Sequence, residues 1–163
     1  MELKKHLDLR YIFVGLYVLV FVIYAVVGLR PVDAVDYEIV AELAIPAIGL
    51  EADVTKITLQ NGKLNTPDSI VGSFSRNEHT TLLFGHSTTV FQHLDSAKLG
   101  DEIIYAHDSY YITDLEVKSK SDISMKQLLN GNTHDTLVLM TCAGKLLDDG
   151  DATHRLIITA TKY

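Results

Sequence analysis

Short apolar, β-branched runs separated by turn residues constrain this chain more than any other feature. Beyond residue 38 we read seven of them, at 39–45, 52–59, 80–84, 102–106, 110–117, 136–141 and 155–161. Asn61-Gly62 is a strong turn signal. A hairpin is expected around His107-Asp108-Ser109. Two short helices fit between the strands. One lies at 90–99, with apolar residues at 90, 91, 94 and 97 before Gly100. The other lies at 124–129, capped by Ser124 and ended by Asn130-Gly131. Many short strands with turns between them predict an all-β sandwich or barrel with short helices. The sequence has no internal repeat, no low-complexity tract and no second domain in this stretch.

The N-terminal part is of another kind. Residues 11–29 form an uncharged run of 19, which as a helix would span roughly 28 Å, close to the hydrocarbon thickness of a bilayer. A cleaved signal would have a shorter apolar region and a small-x-small site, which Val32-Asp33-Ala34-Val35 resembles only weakly. The expectation is a cytoplasmic tail at 1–10, one transmembrane helix at 11–29, a stalk at 30–38 and an external domain at 39–163. Lys4, Lys5 and Arg10 before the span keep the N-terminus in the cytoplasm. Beyond Arg30 ten Lys and Arg stand against nineteen Asp and Glu. So acidic a domain is a poor ligand for nucleic acid, which requires clustered cations. One cysteine excludes an intramolecular disulfide.

That cysteine, Cys142, ends the run Thr136-Leu-Val-Leu-Met-Thr and precedes Ala143-Gly144. An arbitrary cysteine is more often a small apolar filler, but a strand exit favours access. A thiol attacks as its thiolate, which a nearby imidazolium or guanidinium favours. If the runs 136–141 and 155–161 pair as a hairpin, Arg155 lies beside Cys142. There its fork could stabilise an oxyanion or hold a carbonyl; alone it reads equally well as a surface arginine. His86 ends the run 80–84 after Gly85, and could act as general acid to a leaving amine. The other histidines, at 6, 79, 93, 107, 134 and 154, are expected in the tail, in loops or on helix faces. There is no Cys-x-x-Cys and no His-Glu-x-x-His, so zinc is not expected. Asp148-Asp149-Gly150-Asp151 lacks the alternation of a calcium loop and reads as solvated and mobile.

Taken in order, these blocks resemble the sortases, membrane-anchored cysteine transpeptidases of the bacterial cell surface. Ala44-Ile-Pro-Ala-Ile-Gly49 is similar to the family's first strand segment. Leu82-Leu-Phe-Gly-His86, Phe91-Gln-His-Leu94 and Leu99-Gly-Asp-Glu102 are similar to its histidine strand and to the helix and strand after it. Val138-Leu-Met-Thr-Cys142 matches the cysteine signature at Leu139, Thr141 and Cys142, and Arg155-Leu-Ile-Ile fits the arginine strand. The resemblance implies an eight-stranded β-barrel preceded by one transmembrane helix. It implies that Cys142 attacks a Leu-Pro-x-Thr-Gly-like sorting signal between Thr and Gly. His86 would protonate the departing amine, and Arg155 would hold the substrate or the oxyanion. Thr141, Leu139 and Ser87 are the substrate-binding candidates. The partners implied are sorting-signal proteins and an amine from peptidoglycan or a pilin, with no cofactor and no metal. Val138 replaces the signature's first threonine, at a position expected to point away from the sulfur. Residues 31–38 hold no clear lid, which disfavours a pilin polymerase with a long lid. A hydrolytic relative, or a tethered peptide-binding barrel with an inert Cys142, are the rival readings.

Overall fold

Alternation along the apolar runs decides which residues meet inside this protein. The computed structural model describes residues 37–58, 67–75, 77–129, 134–148 and 151–162. The expected tail and anchor, the stalk up to residue 36, and the turns at Asn61-Gly62 and Asn130-Gly131 lie outside the described residues. Among the described residues, no helix is long and apolar enough to cross a membrane.

Eight strands are described: β1 Ile39–Ile45, β2 Leu50–Lys56, β3 Val71–Ser75, β4 Thr80–Phe84, β5 Glu102–Tyr105, β6 Asp108–Ser119, β7 Thr136–Leu146 and β8 Ala152–Thr161. They close into a barrel in the order β1-β2-β3-β4-β7-β8-β6-β5. The pairs β2–β3 and β4–β7 are parallel, and the remaining neighbours are antiparallel. Leu83, Leu137, Leu139, Leu156, Ile158 and Ala160 point into the barrel, where they join Leu43, Ile45, Val54 and Ile103. The alternate residues of β4, β7 and β8 pack outward: Leu82, Phe84, Val138 and Ile157 form a second cluster with Leu129. Burial on both faces is why these three strands read as continuous apolar runs, where a strand with one wet face would alternate.

Helix α1, Met125–Leu129, supplies the lid of that second cluster. Its N-terminus is capped as expected, the Gln127 N–H reaching both the carbonyl and, at 3.4 Å, the hydroxyl of Ser124. The expected helix at 90–99 is instead a chain of turns with one short 3-10 segment, Leu94–Ser96. Phe91, Leu94 and Ala97 recur every three residues and are all buried, a spacing that suits three residues per turn. The hairpin between β5 and β6 turns one residue earlier than expected, at Ala106-His107. Both of these residues have positive φ, 50° and 72°, the geometry of a two-residue type I′ turn. β3 was not anticipated from the sequence. Its Val71-Gly-Ser-Phe-Ser run is short and small, and it is held by partners on both sides, parallel to β2 and antiparallel to β4.

Candidate active site

The pairing of β7 with β8 sets Cys142 directly opposite Arg155. Residues opposed in an antiparallel ladder share a face, with Cα atoms about 4.5–5.5 Å apart. Two side chains separated by 12 residues of chain therefore rise from adjacent points on the outer face of the barrel. Cys142 is a free cysteine of intermediate exposure. Met140 and Ile157, the next opposed pair down the same face, belong to the apolar cluster under α1. On this face a cavity of about 160 Å³ is lined by Ile157, Ile123, Leu128 and the polar Lys118 and Gln127 among others.

The third element arrives through the parallel ladder of β4 and β7, in register from Thr80↔Thr136 to Phe84↔Met140. Gly85 continues it, its N–H directed to the Met140 carbonyl at 3.4 Å. The Thr141 hydroxyl donates to the Gly85 carbonyl at 2.8 Å. His86 follows Gly85 directly, one residue beyond the carbonyl bonded by Thr141, the chain neighbour of Cys142. The His86 side chain is 42% exposed, and its Nε2 lies 3.7 Å from Oδ1 of Asp68. Its carbonyl accepts the N–H groups of Thr89 and Phe91 at 3.3 and 3.0 Å, which turns the chain sharply after β4. The Thr89 hydroxyl donates to the Asp68 carbonyl, so the segment carrying Asp68 is tied to the turn that carries His86. Ser87 is partly exposed in that turn.

Gly85 makes this geometry possible. A Cβ there would stand 2.5 Å from Cγ1 of Val90 and 3.1 Å from Cδ2 of Phe91. Phe91 is 1% exposed and has no room to yield. Gly85→Ala is expected to cost about 1–3 kcal/mol, the usual range for overpacking, and to push the His86 turn off β7. Urea unfolding followed by circular dichroism measures the first effect, and unchanged stability would mean the turn adapts freely.

Three placements differ from the sequence expectations. Leu139 is 0% exposed inside the barrel, on the opposite side of β7 from the sulfur. Thr141 also faces away from the sulfur; it is 4% exposed and its hydroxyl is spent on Gly85. Neither side chain lines the outer face as expected of a substrate-binding residue. Val138 was expected to point away from the sulfur, but an offset of four residues returns to the same face. It lies below Cys142 and Met140 in the outer cluster with Leu82 and Ile157. The outer-face residues that strict alternation would have identified are Met140, Phe84 and Ile157.

The environment of Arg155 also departs from expectation. Its side chain is only 14% exposed. One terminal nitrogen donates to the carbonyls of Ala152 and His154 at 3.0 and 2.9 Å, and the other to Oδ1 of Asp151 at 2.6 Å. Lys120 binds the other carboxylate oxygen. These contacts and the Ala152 N–H hold the Asp151 carboxyl well below the usual carboxylate range, Lys120 contributing most. Asp151 is therefore an ordered ion-pair partner and not the solvated residue expected from the run 148–151. His154 likewise sits in β8 and not in a loop. Among the described residues, no group of three or more His, Cys, Asp or Glu is arranged to hold a metal ion.

Known proteins share this architecture. The model of the sortase domain matches residues 43–163. Comparison with curated proteins finds no match. A lid mutant of sortase A from Corynebacterium diphtheriae superimposes with a TM-score of 0.62 at 20% identity, over 81% of this chain and 74% of that one. Sortase C-1 from Actinomyces oris gives 0.59 at 22% identity, over 84% and 77%. A Clostridium perfringens sortase D5 transpeptidase gives 0.59 at 22% identity, over 77% and 79%.

Proposed function

The chain belongs to the sortase family of cysteine transpeptidases, and from that premise we propose that it cleaves a C-terminal sorting signal and passes the acyl group to an amine. The thiolate of Cys142 attacks the carbonyl of the Thr-Gly bond in a Leu-Pro-x-Thr-Gly-like peptide. A tetrahedral oxyanion forms, and Arg155 is the fixed cation beside it. The C–N bond breaks as His86 gives a proton to the departing glycine amine, leaving a thioester on Cys142. An incoming amine, from a peptidoglycan cross-bridge or a pilin lysine, loses a proton to His86 and attacks the thioester. The thiolate leaves, and the enzyme is restored. The observation that carries this reading is the register of Cys142 against Arg155.

The acidic domain suits this chemistry, because a cationic amine is attracted and nucleic acid is not. The uncharged run at 11–29 supports a single-pass anchor in the plasma membrane. Basic residues before it favour a cytoplasmic N-terminus and an external catalytic domain.

The test uses full-length protein in detergent with a panel of sorting-signal peptides, with and without triglycine or hydroxylamine. Intact-mass spectrometry follows protein and peptide. A thioester on Cys142 and a product that depends on the amine are expected. An adduct released only to water would make the protein a hydrolytic relative. A folded protein that forms no adduct with any peptide would count against acyl transfer and for a peptide-binding barrel.

A further inference from the structure

An arginine that serves a reacting carbonyl must be held still, and among the groups that hold Arg155 is a carboxylate. The guanidinium has five N–H donors. Three hydrogen bonds are formed, to the carbonyls of Ala152 and His154 and to Oδ1 of Asp151. The two carbonyls belong to the strand that carries the arginine, so the Asp151 carboxylate is the charged partner that fixes the direction of the fork.

Asp151 is itself pinned from several sides. Its Oδ1 also accepts the Ala152 N–H at 2.8 Å. Its Oδ2 receives the ammonium of Lys120, just past the end of β6. Its carbonyl accepts the Leu147 N–H at 2.7 Å, closing the connection between β7 and β8. The neighbouring end of β7 packs closely against β8. Gly144 has φ 78°, and a Cβ there would meet Thr153 and His154 side-chain atoms at 2.7 Å. A carboxylate held this firmly is an anchor, and its charge is opposite to that of the one cation that β8 sets against Cys142.

We propose that Asp151 is a positioning residue for the acyl-transfer reaction, fixing the Arg155 guanidinium so that its two remaining N–H donors serve the carbonyl bound at Cys142. The proposal rests on the function assigned above. Asp151 touches no reacting atom and acts only through Arg155. Lys120 completes the device by neutralising the second oxygen, and ties the connection after β6 to the rim of the site.

The test compares Asp151→Asn, Arg155→Lys and the double variant in the full-length protein. Asp151→Asn keeps the shape and removes the charge. The kcat for peptide transfer should fall on the order of 10–100-fold, the cost of a small misplacement of a reacting group, with KM nearly unchanged. In the Arg155→Lys background it should cost little more, because the group it positions has gone. Losses that multiply, or a kcat that rises, overturn the proposal. A second readout needs no substrate. In 1H–15N spectra the Arg155 guanidinium signals, identified by their absence in Arg155→Lys, should be protected from exchange in the parent chain. They should lose that protection in Asp151→Asn. Unchanged protection overturns the proposal even if the native protein transfers no peptide, in which case the assigned function has failed separately.

Discussion

Cys142→Ala abolishes acyl transfer while leaving the barrel as stable as its parent to within about 1 kcal/mol. The two halves of this expectation have different origins. The chemical half follows from there being one cysteine in the chain: no other thiol can form the thioester. Removal of a covalent nucleophile in enzymes of this logic costs on the order of a millionfold in kcat. The stability half follows from position. Cys142 is half-exposed on the outer face of β7, not among the residues that fill the barrel, and substitutions outside a packed core seldom cost much. Intact-mass detection of the adduct and a urea titration check both halves on one preparation. Turnover that survives the substitution would remove Cys142 from the mechanism. A barrel that unfolds would show that the thiol is a packing element, and would leave the loss of activity uninformative.

The contrast between Cys142 and its neighbours shows how far the sequence could be read. The hairpin of β7 and β8 was legible because both runs are apolar throughout, which happens when a strand is covered on both faces. That hairpin alone puts Cys142 against Arg155. The His86 turn was legible for the same reason, as the exit of a buried strand. Strand β3 was not, because Gly72 and Ser73 carry no apolar signal. Gly72 is small because the Phe84 ring lies 2.6 Å from where its Cβ would be, a requirement set by a partner distant in sequence. Thr141 and Leu139 belong to the signature block yet face the barrel interior, so a motif on a strand mixes residues that serve the site with residues that hold the strand. Asp151 was hidden for another reason. Runs of aspartate usually lie in solvent, and only the fold brings Lys120 and Arg155 to this one.

His86→Ala reduces transfer from a peptide substrate by about 10²–10⁴-fold, the usual contribution of a general acid–base group, and His154→Ala does not. His154 is the histidine nearest in sequence to Arg155 and the natural rival. It stands one residue away on β8, however, opposite Ala143 and Ser119, so its side chain leaves the strand on the other side from Arg155. Its Nδ1 is engaged with the Thr153 hydroxyl at 2.7 Å. His86 follows the residue whose carbonyl is bonded by Thr141, the chain neighbour of Cys142, with its imidazole accessible and a carboxylate, Asp68, 3.7 Å from Nε2. If His86 protonates the leaving amine, the defect of His86→Ala must depend on the leaving group. An activated ester, whose leaving group needs no proton, should acylate Cys142 in the variant far better than the corresponding amide does. Rapid-quench measurement of acylation with both substrates checks this. Equal losses on ester and amide would make His86 a structural residue of the turn, and an equal loss in His154→Ala would give the role to the other side of β8.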